Sequence, residues 1–154
     1  MRWYSKITKE PLNLSLVLEC LEYYVAQHIE AQKALKPTGR IMTLCSSLPG
    51  MVEYRFGQLQ ELESILAFYE RRAMKVKYEK KRGFLEHYNR TLTDRQAEQY
   101  AEIDDDVQAL YQIIDEVALL RNKFLGLTKG YEYLHFQCSN IIALRKAGIE
   151  DATF

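Results

Sequence analysis

Apolar residues in the middle of the chain recur at the spacing of a helix. Their intervals of three and four residues keep them on one stripe, which comprises Leu59, Leu62, Leu66, Tyr69, Ala73 and Val76. We therefore expect a long amphipathic helix over Met51–Arg82, with Ser47 as its N-cap, Pro49 just inside its start and Gly83 as its C-cap glycine. Such a helix of about 32 residues is about 48 Å long, which predicts an elongated subunit.

A second stripe of the same kind runs through the C-terminal third. Its intervals alternate between four and three residues, a heptad-like pattern typical of coiled-coil packing. We expect a helix that opens with the carboxylates of Asp104–Asp106, reaches about Lys146 and stops at Gly148. We interpret the stripe as the seam along which subunits associate, formed by Ile113, Val117, Leu120, Phe124, Leu127, Tyr131, Leu134 and Ile141, with Cys138 also on it. Gly126 and Gly130 inside it either allow a close helix approach or mark a kink.

The N-terminal region predicts an arm followed by a helix. Met1–Pro11 is expected to be extended, with Trp3 and Tyr4 resting on a neighbour. Asn13 is expected to cap a helix over Leu14–Leu35. Its apolar face is expected to consist of Leu14, Leu18, Leu21, Val25 and Ile29.

The segments that connect these helices have weaker sequence patterns. Residues 36–39 predict a turn, and Arg40–Leu44 is compatible with a short helix or a strand. Residues 84–92 are interpreted as a bend with some helix. Thr93 and Gln96 form a capping-box pattern for a short helix over Asp94–Ala101.

These elements predict an all-α fold. We expect the long helices to form an antiparallel hairpin with the N-terminal helix packed alongside. We also expect the elongated subunit to assemble into a homo-oligomer. Residues 1–48 hold the arm and first helix. Residues 49–154 hold the hairpin, with a basic segment at 71–82 and the seam within 107–147. Together they form one structural domain.

The basic segment suggests that the long helix also carries a binding surface. It combines many cations with Tyr69, Tyr78 and Phe84, a combination that suits single-stranded nucleic acid because cations follow phosphates and rings stack on bases. Two other interpretations stay open: a solvated helix end that complements the dipole, and docking on an acidic partner, including the block Glu98–Glu116 of another copy. The candidate nucleic-acid-binding residues are Arg71, Arg72, Lys75, Lys77, Tyr78, Lys80, Lys81 and Arg82.

Composition and the absence of known motifs argue against several classes of function. The 21 basic and 21 acidic residues balance, so any positive field is local. Cys20, Cys45 and Cys138 are interpreted as reduced thiols of a cytoplasmic protein, and we expect neither a signal peptide nor a membrane span. Phosphate-loop motifs are absent from the sequence. Glu132 and His135 make only half of a di-iron motif, so we expect no metal, no cofactor and no catalytic residue, hence no enzyme.

Three segments resemble the phage UvsY-type recombination mediator family. They are ERRAMKVKYEKKRG at 70–83, DDDV at 104–107 and TKGYEYLHFQCSNIIALRKAG at 128–148. The resemblance covers about residues 61–148. It implies a ring-forming helical protein of the phage-infected host cytoplasm. Such a protein binds single-stranded DNA and helps to load a RecA-like recombinase onto DNA coated by single-strand-binding protein. It also implies DNA contacts, first at Arg71, Arg72, Lys75 and Lys77 and then at Lys80, Lys81 and Arg82. The alternative is a helical adaptor whose basic helix docks an acidic partner.

Overall fold

A computed structural model describes residues 2–36, 39–88 and 90–149 of the chain. Within these ranges all regular secondary structure is helical, so the all-α prediction is confirmed. The described residues form five helices, which are α1 (Trp3–Lys9), α2 (Leu14–Ala34), α3 (Ile41–His87), α4 (Asp94–Glu102) and α5 (Asp105–Lys146).

Helices α3 and α5 pack against each other in opposite directions. Near one end of the pair, Lys77 of α3 contacts Glu102, just before α5 begins. Near the other end, Cys45 of α3 and Cys138 of α5 line the same cleft. With 47 residues, α3 is about 70 Å long, and α1, α2 and α4 pack along this pair.

The two apolar stripes predicted from the sequence meet in the core. Leu62, Tyr69 and Phe124 are completely buried. The other stripe residues are buried too, except Val76 and Ile113, which are half-buried. The prediction that the α5 stripe joins subunits needs correction. Its side chains are already buried within the chain, because they pack into the core shared with α2 and α3.

Helix α3 extends past both predicted ends. It begins at Ile41, so Ser47 is inside the helix, where its hydroxyl donates to the Leu44 carbonyl at 3.1 Å. Pro49 lacks an N–H for the helical ladder, but buried Ile41 and Leu48 hold these turns against the core. At the other end Gly83 is not a C-cap. The helix continues to His87, and the Phe84 ring packs 5.6 Å from that of Tyr100. Thus α3 crosses the predicted 48/49 division between arm and hairpin.

The N-terminal predictions are wrong for the arm and for the buried face of α2. Residues 3–9 form helix α1, not an extended arm, and Trp3 packs 5.7 Å from Tyr23 of the same chain. Helix α2 has the predicted position, and Asn13 caps it. However, α2 buries a different face, comprising Val17, Cys20, Tyr24 and Ala31, while Leu14, Leu18, Val25 and Ile29 are exposed and Leu21 is half-buried.

The predicted signals at the other helix ends are confirmed. Thr93 and Gln96 form the capping box of α4, and the Asp104 side chain caps α5. Gly148 has a φ of 87°, and the Ile149 N–H donates to the Leu144 carbonyl, as in the helix-ending motif that favours glycine. Gly130 lies under Leu35, since an added Cβ would stand 3.0 Å from its Cδ1. The described residues do not include Pro37 and Thr38 of the predicted turn or the C-terminal residues 150–154.

Candidate nucleic-acid interface

The basic segment of α3 has two faces with different surroundings. Lys77, Lys80 and Lys81 point toward α4 and the start of α5, and we call them the inner face. Arg71, Lys75, Tyr78 and Arg82, joined by Met74 and Leu85, point to solvent, and we call them the outer stripe. The Lys77 side chain is 25% exposed, whereas that of Lys75 is 77% exposed.

Acidic residues of the same chain pair with the inner face. Lys77 contacts Glu102, Lys80 lies 3.0 Å from Asp104, and Lys81 lies 2.9 Å from Asp94. The contact with Glu102 raises the pKa of Lys77, and the contact with Lys77 lowers the pKa of Glu102. The acidic block that the sequence assigned to a possible partner therefore neutralises these lysines within the subunit.

The outer stripe is the part of the basic segment that stays accessible. Arg71, Lys75, Tyr78, Arg82 and Leu85 follow at intervals of four, three, four and three, so they share one side of the helix. Tyr78 is 67% exposed and Met74 is 73% exposed. Among the described residues, Lys75 and Arg82 pair only within the helix, with Glu79 and Glu86 respectively. Solvent-exposed pairs of this kind are weak. Arg71 is exposed and has no ion pair in the described part of the chain.

The eight candidate residues are thus not one surface. The structure brings Arg71, Lys75, Tyr78 and Arg82 together, and it places Lys77, Lys80 and Lys81 on another face. Arg72 lies between the two faces, half-buried, and its Nε finds no hydrogen-bond partner among the described residues. Met74 and Leu85 are not among the residues predicted from the sequence, although their helical spacing from Tyr78 could have indicated them.

The inner-face pairs predict a change of stability with pH. Because the folded-state pKa of Glu102 is below its ordinary value of 4.5, the stabilisation by this pair is present above pH 4.5 and is lost as the pH falls through the folded-state pKa. For exposed pairs the loss is about 0.2–1 kcal/mol. Urea unfolding at pH 7 and in more acidic buffer would measure it. The variant Glu102→Gln should lose part of this acid dependence, and an unchanged dependence would contradict the assignment.

A separate cleft lies near the opposite end of the α3–α5 pair. It has a volume of about 770 Å3, and its mainly apolar lining includes Leu48, Phe56, Tyr131 and Phe136. Glu132 and His135 are on its wall with the thiols of Cys45 and Cys138. Among the described residues no three His, Cys, Asp or Glu side chains come together as metal ligands. The chemistry that this cleft offers is burial of apolar groups.

No protein-family model, no curated protein and no solved structure matches the chain. Among the described residues, no helix is both long enough and apolar enough to span a membrane.

Proposed function

We propose that the protein is a recombination mediator that binds single-stranded DNA through the outer stripe. The observation that supports this proposal is the arrangement of Arg71, Lys75 and Arg82 around exposed Tyr78 on one helix side. Cations at this spacing can follow a phosphate backbone, and an exposed ring can stack on any unpaired base. The resemblance of residues 61–148 to the UvsY-type family is in agreement with it.

A single outer stripe is expected to bind weakly. It carries only three cations, and two of them have a carboxylate one helical turn away. Several subunits that contact one strand would gain affinity because later contacts are made at high effective concentration. The proposal therefore includes a homo-oligomer, ring-like as in the resembling family, with a RecA-like recombinase and single-strand-binding protein as partners in the host cytoplasm.

Removing the outer cations is expected to weaken DNA binding strongly. In the variant Arg71→Ala/Lys75→Ala/Arg82→Ala, we expect the Kd for a labelled oligothymidine to rise at least about tenfold. The magnitude of the slope of log K against log salt should fall by about 2 for each subunit that contacts the strand, because each lost phosphate contact removes about 0.7. Fluorescence anisotropy over a salt series would measure both quantities.

The inner face supplies a matched control with the same change in net charge. The variant Lys77→Ala/Lys80→Ala/Lys81→Ala is expected to bind within about threefold of the wild type, because its lysines are already paired. Equal losses in the two variants would refute the outer stripe as the binding site. Absence of wild-type binding at low salt would refute the function and favour the adaptor alternative, in which the outer stripe docks an acidic protein.

A further inference from the structure

Helix α2 has two apolar faces, and the described part of the chain covers only one of them. Val17, Cys20, Tyr24 and Ala31 pack into the core. On a neighbouring side, Leu14, Leu18 and Ile29 are 61%, 59% and 50% exposed. With Leu21 and Val25 they form an aliphatic row, which we call the α2 row. Contiguous exposed apolar patches of this kind mark interaction sites.

The α2 row is symmetric about its own centre. Leu14 and Ile29 lie at equal distances from the middle of the row, on opposite sides of it. The same holds for Leu18 and Val25, while Leu21 lies next to the centre. An antiparallel copy of the helix therefore places Ile29 opposite Leu14 and Val25 opposite Leu18, and it brings the two Leu21 side chains together beside the centre. We propose that α2 pairs with α2 of a second copy of this chain, antiparallel, about a two-fold axis beside Leu21. Such an interface uses the same surface on both subunits.

Charges at the two ends of α2 favour this direction. The Asn13 amide donates to Glu10 at 2.9 Å and holds that carboxylate at the start of the helix, while Lys33 lies in the last turn. Antiparallel pairing brings each Glu10 toward the partner's Lys33 and opposes the two helix dipoles. Parallel pairing would instead bring Lys33 of one chain toward Lys33 of the other. Glu22 lies near the axis, and its repulsion from its copy weakens the pair.

The exposed area of the α2 row sets the expected strength of the dimer. Its exposed area is roughly 400 Å2, half of the roughly 800 Å2 per partner in standard interfaces, so we expect a reversible dimer. Tyr24 contacts Glu61 and Gln27 contacts Arg55, so α2 lies beside a part of α3 that precedes the outer stripe. The dimer would therefore present two uncovered outer stripes. This inference does not depend on the proposed function.

Sedimentation velocity over a concentration series tests the pairing in the full chain. We expect the wild type to shift from monomer toward dimer as concentration rises, and Leu18→Glu to stay monomeric. Leu119→Glu is the control, since Leu119 is 52% exposed on α5, and it should associate like the wild type. A wild type that stays monomeric, or a Leu18→Glu variant that associates equally well, would overturn the proposal. Circular dichroism checks that both variants fold.

Cross-linking tests the direction of the pair. In a Cys45→Ser background, chains with Leu18→Cys and chains with Val25→Cys are mixed and oxidised. Antiparallel pairing predicts that the cross-link between residues 18 and 25 predominates, because these positions are opposite each other. Predominant links from 18 to 18 and from 25 to 25 would overturn the antiparallel arrangement. A chain that dimerises in this way but fails to bind single-stranded DNA would refute the proposed function and leave this inference intact.

Discussion

Replacing Phe124 by alanine is expected to lower the free energy of unfolding by about 3–5 kcal/mol. The Phe124 side chain is completely buried, and its ring packs edge-on against Tyr24 at 5.7 Å and beside His28 at 5.9 Å. The truncation removes these contacts and leaves a cavity where α5 meets α2, because backbones on both sides are fixed by long helices. Urea unfolding followed by circular dichroism would measure the loss.

An exposed leucine on the same helix is the control for this prediction. Leu119→Ala removes a side chain that is 52% exposed, so its effect should stay within about 1 kcal/mol. Similar losses for the two variants would mean that the α5 stripe is not the core of the subunit. The result would then favour the original interpretation of this stripe as a surface between subunits.

Replacing Glu61 by alanine is expected to cost about 2–3 kcal/mol, because it leaves a buried hydroxyl without a partner. Glu61 accepts hydrogen bonds from the Tyr24 hydroxyl at 2.8 Å and from the Tyr4 N–H at 3.0 Å. One carboxylate thereby connects α1, α2 and α3. The same urea unfolding assay would measure the loss.

A double-mutant cycle separates the hydrogen bond from other effects of the change. Tyr24→Phe removes the hydroxyl, so Glu61→Ala in that background no longer leaves it unpaired. We expect the double variant to lose less stability than the sum of the two single variants. Strict additivity would contradict the assigned role of Glu61.

The fold was largely predictable where the pattern was unambiguous. The stripe from Leu59 to Val76 and the α5 stripe each have one continuous apolar side, so periodicity indicated both helices and the faces that they bury. Asn13, Thr93 and Asp104 act as caps because their short polar side chains can reach the N–H groups of the next turn. Such contacts are local, and the sequence alone is enough to find them.

Prediction failed where local signals competed with packing. Pro49 and Gly83 are ordinary signals of helix ends, but buried Leu48 and the packed ring of Phe84 extend α3 beyond them. On α2, two apolar sets have helical spacing, and periodicity alone cannot tell which one faces the core. The choice depends on neighbours such as Glu61 and Phe124, which are distant in sequence.

The candidate interface was likewise predictable in part from the sequence, and the rest depended on tertiary contacts. The sequence by itself determined that cations and a tyrosine are concentrated in residues 71–82, because composition and helical spacing are properties of the chain. Only the tertiary structure decided that Lys77, Lys80 and Lys81 meet Asp94, Glu102 and Asp104, since those carboxylates arrive by the return of α4 and α5 along α3. Ion pairing depends on distances in space, and these distances leave Arg71, Lys75 and Arg82 as the accessible cations of the proposed site.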